Sequence, residues 1–194
     1  KIWFDLMSKI ELLDLPIPSI LNKEVIEYLG KIDWRFANDK PAMFQKSFNE
    51  VIAGTHARDF GMYHTSLEDM HNTKGDPYLN TFGKWVFHLA AQQSQHEMLN
   101  PRRMYWNFYT PNAKPDWHCD EDTYGNCVSV LYNLHTNDGG TEFETGERVQ
   151  SKEGQAIVFP SHMIHRGFAP KEFFHRFNLN MIVHLKKYKD PNGK

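Results

Sequence analysis

The sequence predicts a mainly β fold, a sandwich or barrel with supporting α-helices. Short β-rich runs follow Arg103 and are separated by turns that contain glycine, a spacing typical of such folds. Two stretches ahead of Arg103 instead carry apolar residues at helical spacing. The 194 residues, 40% of them apolar, suit one domain that spans residues 1–194.

Two helices are expected in the first half of the chain. The first covers residues 19–31, with Ser19 or Asn22 as its cap. The second covers residues 80–99. One stripe of this helix comprises Phe82, Val86, Leu89, Ala90 and Gln93. Residues 33–65, which lie between the two helices, are expected to form strands and loops.

The predicted β core occupies residues 103–186, and residues 1–102 form its helical support. Turn residues separate each β-rich run from the next. The expected strands are residues 104–109, 117–120, 128–134, 141–144, 155–159 and 177–185.

Composition limits the classes of function. A formal net charge of −2 gives no global basic field, so a nucleic-acid partner is not expected. Two cysteines are too few for a disulfide framework, which favours a reducing, cytoplasmic location. No apolar run approaches the roughly 20 residues that span a membrane. The sequence does not indicate an oligomeric state.

A His-x-Asp pair is the first candidate for chemistry. On a strand, residues two apart face the same side, so His118 and Asp120 would point into one cavity. His165, which follows an apolar strand, is the candidate third ligand. Two imidazoles and one carboxylate form the facial triad that suits non-haem Fe(II). His162, three residues before His165, is its rival.

Arg176 adds a second kind of binding group. It follows His165 by eleven residues and opens a strand-like run. An arginine there can hold a carboxylate through two parallel hydrogen bonds. A dicarboxylate co-substrate needs such an anchor at its far end while its keto-acid end chelates iron. Without the triad, Arg176 would be taken for a residue of the surface or rim.

The order of these motifs resembles the prolyl 4-hydroxylase-like branch of the Fe(II)- and 2-oxoglutarate-dependent oxygenases. His-x-Asp is followed by a Gly-Gly-Thr-Glu-Phe turn (Gly139–Phe143), Phe-Pro-Ser-x-x-x-His and a downstream arginine. The resemblance covers about residues 103–185. It implies a double-stranded β-helix, the jelly-roll architecture, as the core. It also implies Fe²⁺, 2-oxoglutarate and O₂, with ascorbate as an optional reductant.

The resemblance implies roles for individual residues. Arg176 matches the residue that pairs with the distal carboxylate of 2-oxoglutarate, and Tyr109 matches one that hydrogen-bonds the same group. Asn180 matches a position often held by a hydroxyl residue, and asparagine can still donate a hydrogen bond. Tyr132 and Asn133 fall where the family lines the co-substrate pocket, and strand alternation lets only one of them face inward. The iron ligands match at His118, Asp120 and His165.

The activity implied by the resemblance is hydroxylation of an unactivated C–H bond, with release of succinate and CO₂. Prolyl hydroxylation of a peptide or protein is the leading substrate hypothesis, and a small-molecule substrate is the alternative. Loops 66–78, 111–116 and 121–127 are expected to set selectivity. A rival hypothesis is a non-catalytic jelly-roll module that retains the metal site. Another is a cupin-like metalloenzyme, which would have no use for Arg176 and Tyr109.

Overall fold

A computed structural model describes residues 9–36, 62–68, 76–121 and 127–186. The predictions for residues 37–61, and for the middle of two selectivity loops, lie outside these ranges. The helices are α1 (Ser19–Leu29) and α2 (Pro77–Gln93). The strands are β1 (Glu11–Asp14), β2 (Arg35–Phe36), β3 (Met62–Glu68), β4 (Met98–Tyr109), β5 (Cys127–Asn133), β6 (Gly140–Phe143), β7 (Arg148–Gln150), β8 (Gln155–Pro160), β9 (His165–Phe168) and β10 (Arg176–Leu185).

These strands form two antiparallel sheets. The larger has the order β1-β8-β5-β10-β4-β3-β2, and the smaller has the order β7-β6-β9. Strand β10 pairs with β5 on one side and with β4 on the other. Two such sheets with supporting helices confirm the predicted mainly β, jelly-roll class. The region ahead of residue 103 contributes β1, β2 and β3 to the larger sheet, in addition to both helices.

The larger sheet separates two apolar clusters, because side chains alternate along its strands. On its outer face the helices pack over the central strands. That cluster includes Val25, Leu29, Leu79, Val86, Ala90, Met104, Trp106, Val130, Tyr132, Leu179 and Met181. On its inner face Leu131, Ile157 and Phe159 pack with Phe143 of the smaller sheet. Apolar side chains from both sheets therefore fill part of the space between them.

The start of helix α1 lacks the side-chain cap that the sequence predicts. Pro18 precedes its first turn, and no side chain caps it, so the predicted capping by Ser19 or Asn22 is wrong. Asn22 is buried and instead accepts a hydrogen bond from Tyr132 Oη at 2.8 Å. The helix ends at Leu29, two residues before the predicted end.

Helix α2 begins three residues earlier and ends six residues earlier than predicted. Asp76 caps it by accepting hydrogen bonds from the backbone N–H groups of residues 78 and 79, and Pro77 occupies the first turn. At the other end, Ser94 is extended and its hydroxyl donates to Glu11 at 2.7 Å. Residues 98 and 99, predicted to end the helix, instead open β4. None of the helices in the described ranges is long and apolar enough to span a membrane.

The cap of α2 gives a stability prediction. Replacing Asp76 with alanine removes two hydrogen bonds to the helix and the acceptor for the Tyr28 hydroxyl. We expect Asp76→Ala to lower the free energy of unfolding by about 1–2 kcal/mol in urea denaturation. Ser19→Ala, at the uncapped start of α1, should change it by less than about 0.5 kcal/mol. Equal losses in the two variants would show that Asp76 does not act as a cap.

Candidate metal centre and active site

A pair of backbone hydrogen bonds brings the two histidines of the candidate triad together. The N–H of His118 donates to the carbonyl of His165 and the N–H of His165 donates to the carbonyl of His118, each at 2.9 Å. Residues 117–120, predicted as a strand, form only this isolated bridge. The N–H of Asp120 also donates to the carbonyl of Ser161 at 2.9 Å. The backbone thus fixes His118 and Asp120 beside the start of β9.

The three side chains converge between the sheets. Their ligand atoms all lie within 4.8 Å of one another. His118 Nε2 lies 4.0 Å from Asp120 Oδ1, and His165 Nε2 lies 3.7 Å from Asp120 Oδ2. In the described part of the chain, this is the one cluster of such groups that could hold a metal ion.

Backbone carbonyls orient both imidazoles. His118 Nδ1 lies 2.8 Å from the carbonyl of Asp116, and His165 Nδ1 lies 2.9 Å from the carbonyl of Met163. A carbonyl only accepts, so Nδ1 carries the proton in each ring and the Nε2 lone pair is left for a metal. Both lone pairs face the Asp120 carboxylate. Two imidazole nitrogens and one carboxylate fit a divalent metal ion that keeps open positions.

Asp120 is 6% exposed, and donors from two central strands hold its carboxylate. Ser129 of β5 donates to Oδ2 at 2.6 Å. The amide of Asn180 on β10 lies 3.2 Å from both carboxylate oxygens. Burial alone would raise the pKa of Asp120, but His165, His118, Arg103 and the Ser129 hydroxyl together lower it to about 2. The carboxylate is therefore ionised at neutral pH.

Arg176 enters the same cavity from the start of β10 and is 1% exposed. Its Nη2 donates to Thr141 Oγ1 at 3.3 Å, whereas its buried Nε and Nη1 have no hydrogen-bond partner among the described residues. Burial lowers the pKa of Arg176 to about 10, which still leaves it charged at neutral pH. Buried donors without partners are costly, so this guanidinium fits an anionic ligand.

Tyr109 lies beside Arg176 in this cavity. The Arg176 guanidinium carbon is 5.2 Å from the centre of the Tyr109 ring, and the two residues are register partners across β4 and β10. Gly167 leaves the space that both need. A Cβ there would lie 3.2 Å from Arg176 Nη1 and 3.2 Å from Tyr109 Cζ. The glycine at this position therefore allows a close approach.

The other predicted pocket residues occupy different places. Asn180 lines the cavity, but its amide holds Asp120 instead of lying beside Arg176. Tyr132 faces away, because its ring packs against Phe82 and its hydroxyl donates to Asn22. Asn133 shares the inner face of β5 with Leu131, is fully buried, and lies outside the cavity lining. The structure therefore does not bring Tyr132 to the site.

His162, the rival ligand, lies outside the cluster that could hold a metal. It falls in the turn between β8 and β9, where burial lowers its pKa. His165 instead opens β9 and is 2% exposed. The bridge to His118 explains the difference, because it positions the backbone of residue 165 and not that of residue 162.

Two residues beside Asp120 are among those of the site that escaped the sequence reasoning. Arg103 lies in the cavity with Nη2 at 3.9 Å from Asp120 Oδ1, and Ser129 holds the same carboxylate. Ser129 is a hydroxyl residue within an otherwise apolar buried strand, which is a signal that sequence offers. Arg103 precedes a strand-like run in sequence, and its alternation with Tyr105 and Tyr109 could have placed it on the same face.

Comparison with known proteins identifies the fold. No protein-family model matches the chain, and no curated protein matches it in sequence. Solved structures do match it across nearly its whole length. A prolyl-4-hydroxylase from Pseudomonas putida is 15% identical, with a TM-score of 0.55 over 94% of this chain and 96% of the other.

Two further solved structures also match most of the chain at low sequence identity. HygX from Streptomyces hygroscopicus, solved with nickel, 2-oxoglutarate and hygromycin B, is 9% identical, with a TM-score of 0.60 over 96% of this chain and 87% of that one. A prolyl hydroxylase from Trichoplax adhaerens, solved with a hypoxia inducible factor peptide fragment, is 13% identical, with a TM-score of 0.54 over 90% of this chain and 83% of that one. The predicted resemblance is confirmed at the level of the fold.

The geometry predicts a divalent metal site that depends on three side chains. His118→Ala, Asp120→Ala and His165→Ala each remove a metal ligand. Each should weaken Ni(II) binding by more than about 100-fold in calorimetry, because losing only a group that hydrogen-bonds a ligand already costs about 10–100-fold. Ser129→Ala should weaken it by about 10–100-fold, because it removes a hydrogen bond to Asp120. His162→Ala is the matched control and should bind nickel normally. Loss of binding in that control, with retention in His165→Ala, would reverse the assignment.

Proposed function

We propose that the chain is an Fe(II)- and 2-oxoglutarate-dependent oxygenase that hydroxylates an unactivated C–H bond and releases succinate and CO₂. One observation carries the proposal above all others. Arg176, buried and with two donor nitrogens that find no partner among the described residues, shares a cavity with the cluster of His118, Asp120 and His165. A metal centre alone needs no such cation, whereas a co-substrate with a second carboxylate does.

The residues divide the work of binding. His118, Asp120 and His165 would hold Fe(II), with both imidazoles oriented by backbone carbonyls. Arg176 would bind the distal carboxylate of 2-oxoglutarate. When bound, the iron and its co-substrate supply the oxidising chemistry, which no side chain provides.

The cavity walls would control access to the reacting group. Leu131 and Gly167 line the cavity together with the candidate ligands, and neither has an ionisable side chain. Shielding from water protects a reactive centre from side reactions. A substrate would approach the metal from the side not occupied by Arg176.

A prolyl residue of a peptide is the substrate that we propose to test first. This choice is supported by the shared fold with two prolyl hydroxylases, one of them solved with a peptide fragment. The similar fold of HygX, solved with hygromycin B, shows why the fold alone does not determine substrate class.

The co-substrate assignment is tested by turnover and binding. Protein with Fe(II) and O₂ should convert 2-oxoglutarate to succinate, and Asp120→Ala should abolish this conversion. Arg176→Met should weaken 2-oxoglutarate binding about 30-fold or more, since a charge-assisted contact is worth at least about 2 kcal/mol.

The matched control is Arg148→Met, which removes an exposed arginine from β7 of the smaller sheet. Its affinity for 2-oxoglutarate should be that of the wild type. Unchanged affinity in Arg176→Met would show that Arg176 is not the anchor. Failure of the metal-loaded wild type to bind 2-oxoglutarate would favour the non-catalytic jelly-roll module.

A further inference from the structure

Arg103 is a second arginine in the candidate active-site cavity, and the proposed function gives it no role. Its side chain is 11% exposed, and its buried Nε and Nη2 have no hydrogen-bond partner among the described residues. Its guanidinium carbon lies 4.0 Å from the centre of the Tyr105 ring. Nε and Nη2 form one edge of the guanidinium, the edge that takes both oxygens of a carboxylate.

Arg103 and Arg176 lie at opposite ends of the cavity. Arg103, Tyr105, Asn107 and Tyr109 all line it, as expected for alternate residues of one strand. Tyr109 is the register partner of Arg176. Arg103 lies six positions before Tyr109, which is about 20 Å along a strand. The backbone of Arg103 is therefore far from that of Arg176, whereas its guanidinium reaches the metal cluster, with Nη2 3.9 Å from Asp120 Oδ1.

With Fe(II) and 2-oxoglutarate bound, the positive charge of Arg103 would have no anion of its own to balance it. Asp120 and the keto-acid carboxylate would offset the two charges of Fe(II), and the distal carboxylate would offset Arg176. Among the residues whose side chains the structure describes, Asp120 is the one acidic group within 4.0 Å of Arg103. It lies 3.9 Å away, too far for a hydrogen bond to Nη2. A buried cation of this kind calls for another anion.

We propose that Arg103 binds a carboxylate of the substrate and so selects substrates that carry one close to the C–H bond that reacts. The inference rests on the proposed function, because it assumes that 2-oxoglutarate occupies Arg176 and the metal. A singly charged carboxylate fits better than a dianionic phosphate, since Asp120 lies beside the guanidinium and would repel the extra charge. Arg103 is thus a specificity-determining residue.

The test uses full-length protein loaded with Zn(II), which supports no turnover, and saturated with 2-oxoglutarate. The probes are N-acetylated amino acids that cover the common side chains, each as the free acid and as the carboxamide. Calorimetry measures the affinity for both members of every pair. Binding of 2-oxoglutarate is measured first in the same samples.

In the wild type, we expect at least one free acid to bind about tenfold or more tightly than its carboxamide. Arg103→Met should remove this preference when it is compared with the wild type at saturating Zn(II) and 2-oxoglutarate. Arg103→Lys, which retains the charge but not the planar fork, should keep part of the preference. The matched control is Arg102→Met on the same strand. Arg102 pairs with Glu121 outside the cavity lining, so this control should keep the full preference.

Three results would overturn the inference. One is equal affinity for acid and carboxamide in every pair, whether strong or undetectable. Another is a preference that survives in Arg103→Met and Arg103→Lys alike. The third concerns Glu68, the register partner of Arg103 across β3 and β4. A preference that emerges only in Glu68→Gln would mean that the protein itself supplies the anion.

These outcomes are distinct from a failure of the proposed function. A wild type that binds Zn(II) but not 2-oxoglutarate would contradict the oxygenase assignment, and the inference about Arg103 would fall with it. A wild type that binds 2-oxoglutarate but shows no preference for the free acid would contradict the inference about Arg103 alone.

Discussion

The buried carboxylate of Asp120 is the constraint on which the rest of the site depends. An ionised carboxylate removed from water is costly unless charges and hydrogen-bond donors surround it. Ser129 and Asn180 supply donors from β5 and β10, while His118 and His165 face the two carboxylate oxygens. These groups come from distant parts of the chain, so the carboxylate is satisfied only when the two sheets are correctly packed. The metal site therefore forms only when the chain has folded.

Strand alternation gives the central sheet two different faces. Residues of β10 such as Leu179 and Met181 pack under the helices, whereas Arg176 and Asn180 line the cavity. Strand β4 repeats the division, with Trp106 in the core and Tyr105 in the cavity. Apolar burial on one face thus holds polar groups at fixed positions on the other. This rigidity is what a site of preorganised ligands requires.

Much of the site could be predicted because it depends on local spacing. His118 and Asp120 share a direction because they lie two residues apart, and this holds even though their segment is a single bridge and not a strand. Arg176 could be placed in a strand by the pattern that follows it. Jelly-roll architecture was implied by the family resemblance that the motifs carry, and the pairing of the strands agrees with it.

Long-range contacts account for what the sequence did not reveal. Tyr132 points to the core because Asn22, 110 positions away, accepts a hydrogen bond from its hydroxyl. Helix α2 stops at Ser94 because Glu11, 83 positions away, accepts a hydrogen bond there. The role of Asn180 depends on where Asp120 lies after folding. None of these partners can be read from neighbouring residues, so patterns that report only local structure miss them.

The central claim is that the two arginines at opposite ends of the cavity bind different anions. Arg176 binds 2-oxoglutarate, and Arg103 binds the substrate. An anaerobic crystal structure with Fe(II) and 2-oxoglutarate tests it most directly. The account predicts iron on His118, Asp120 and His165, with the distal carboxylate of 2-oxoglutarate on Arg176 and with Arg103 left for another anion. A distal carboxylate on Arg103, or iron bound through His162, would contradict it.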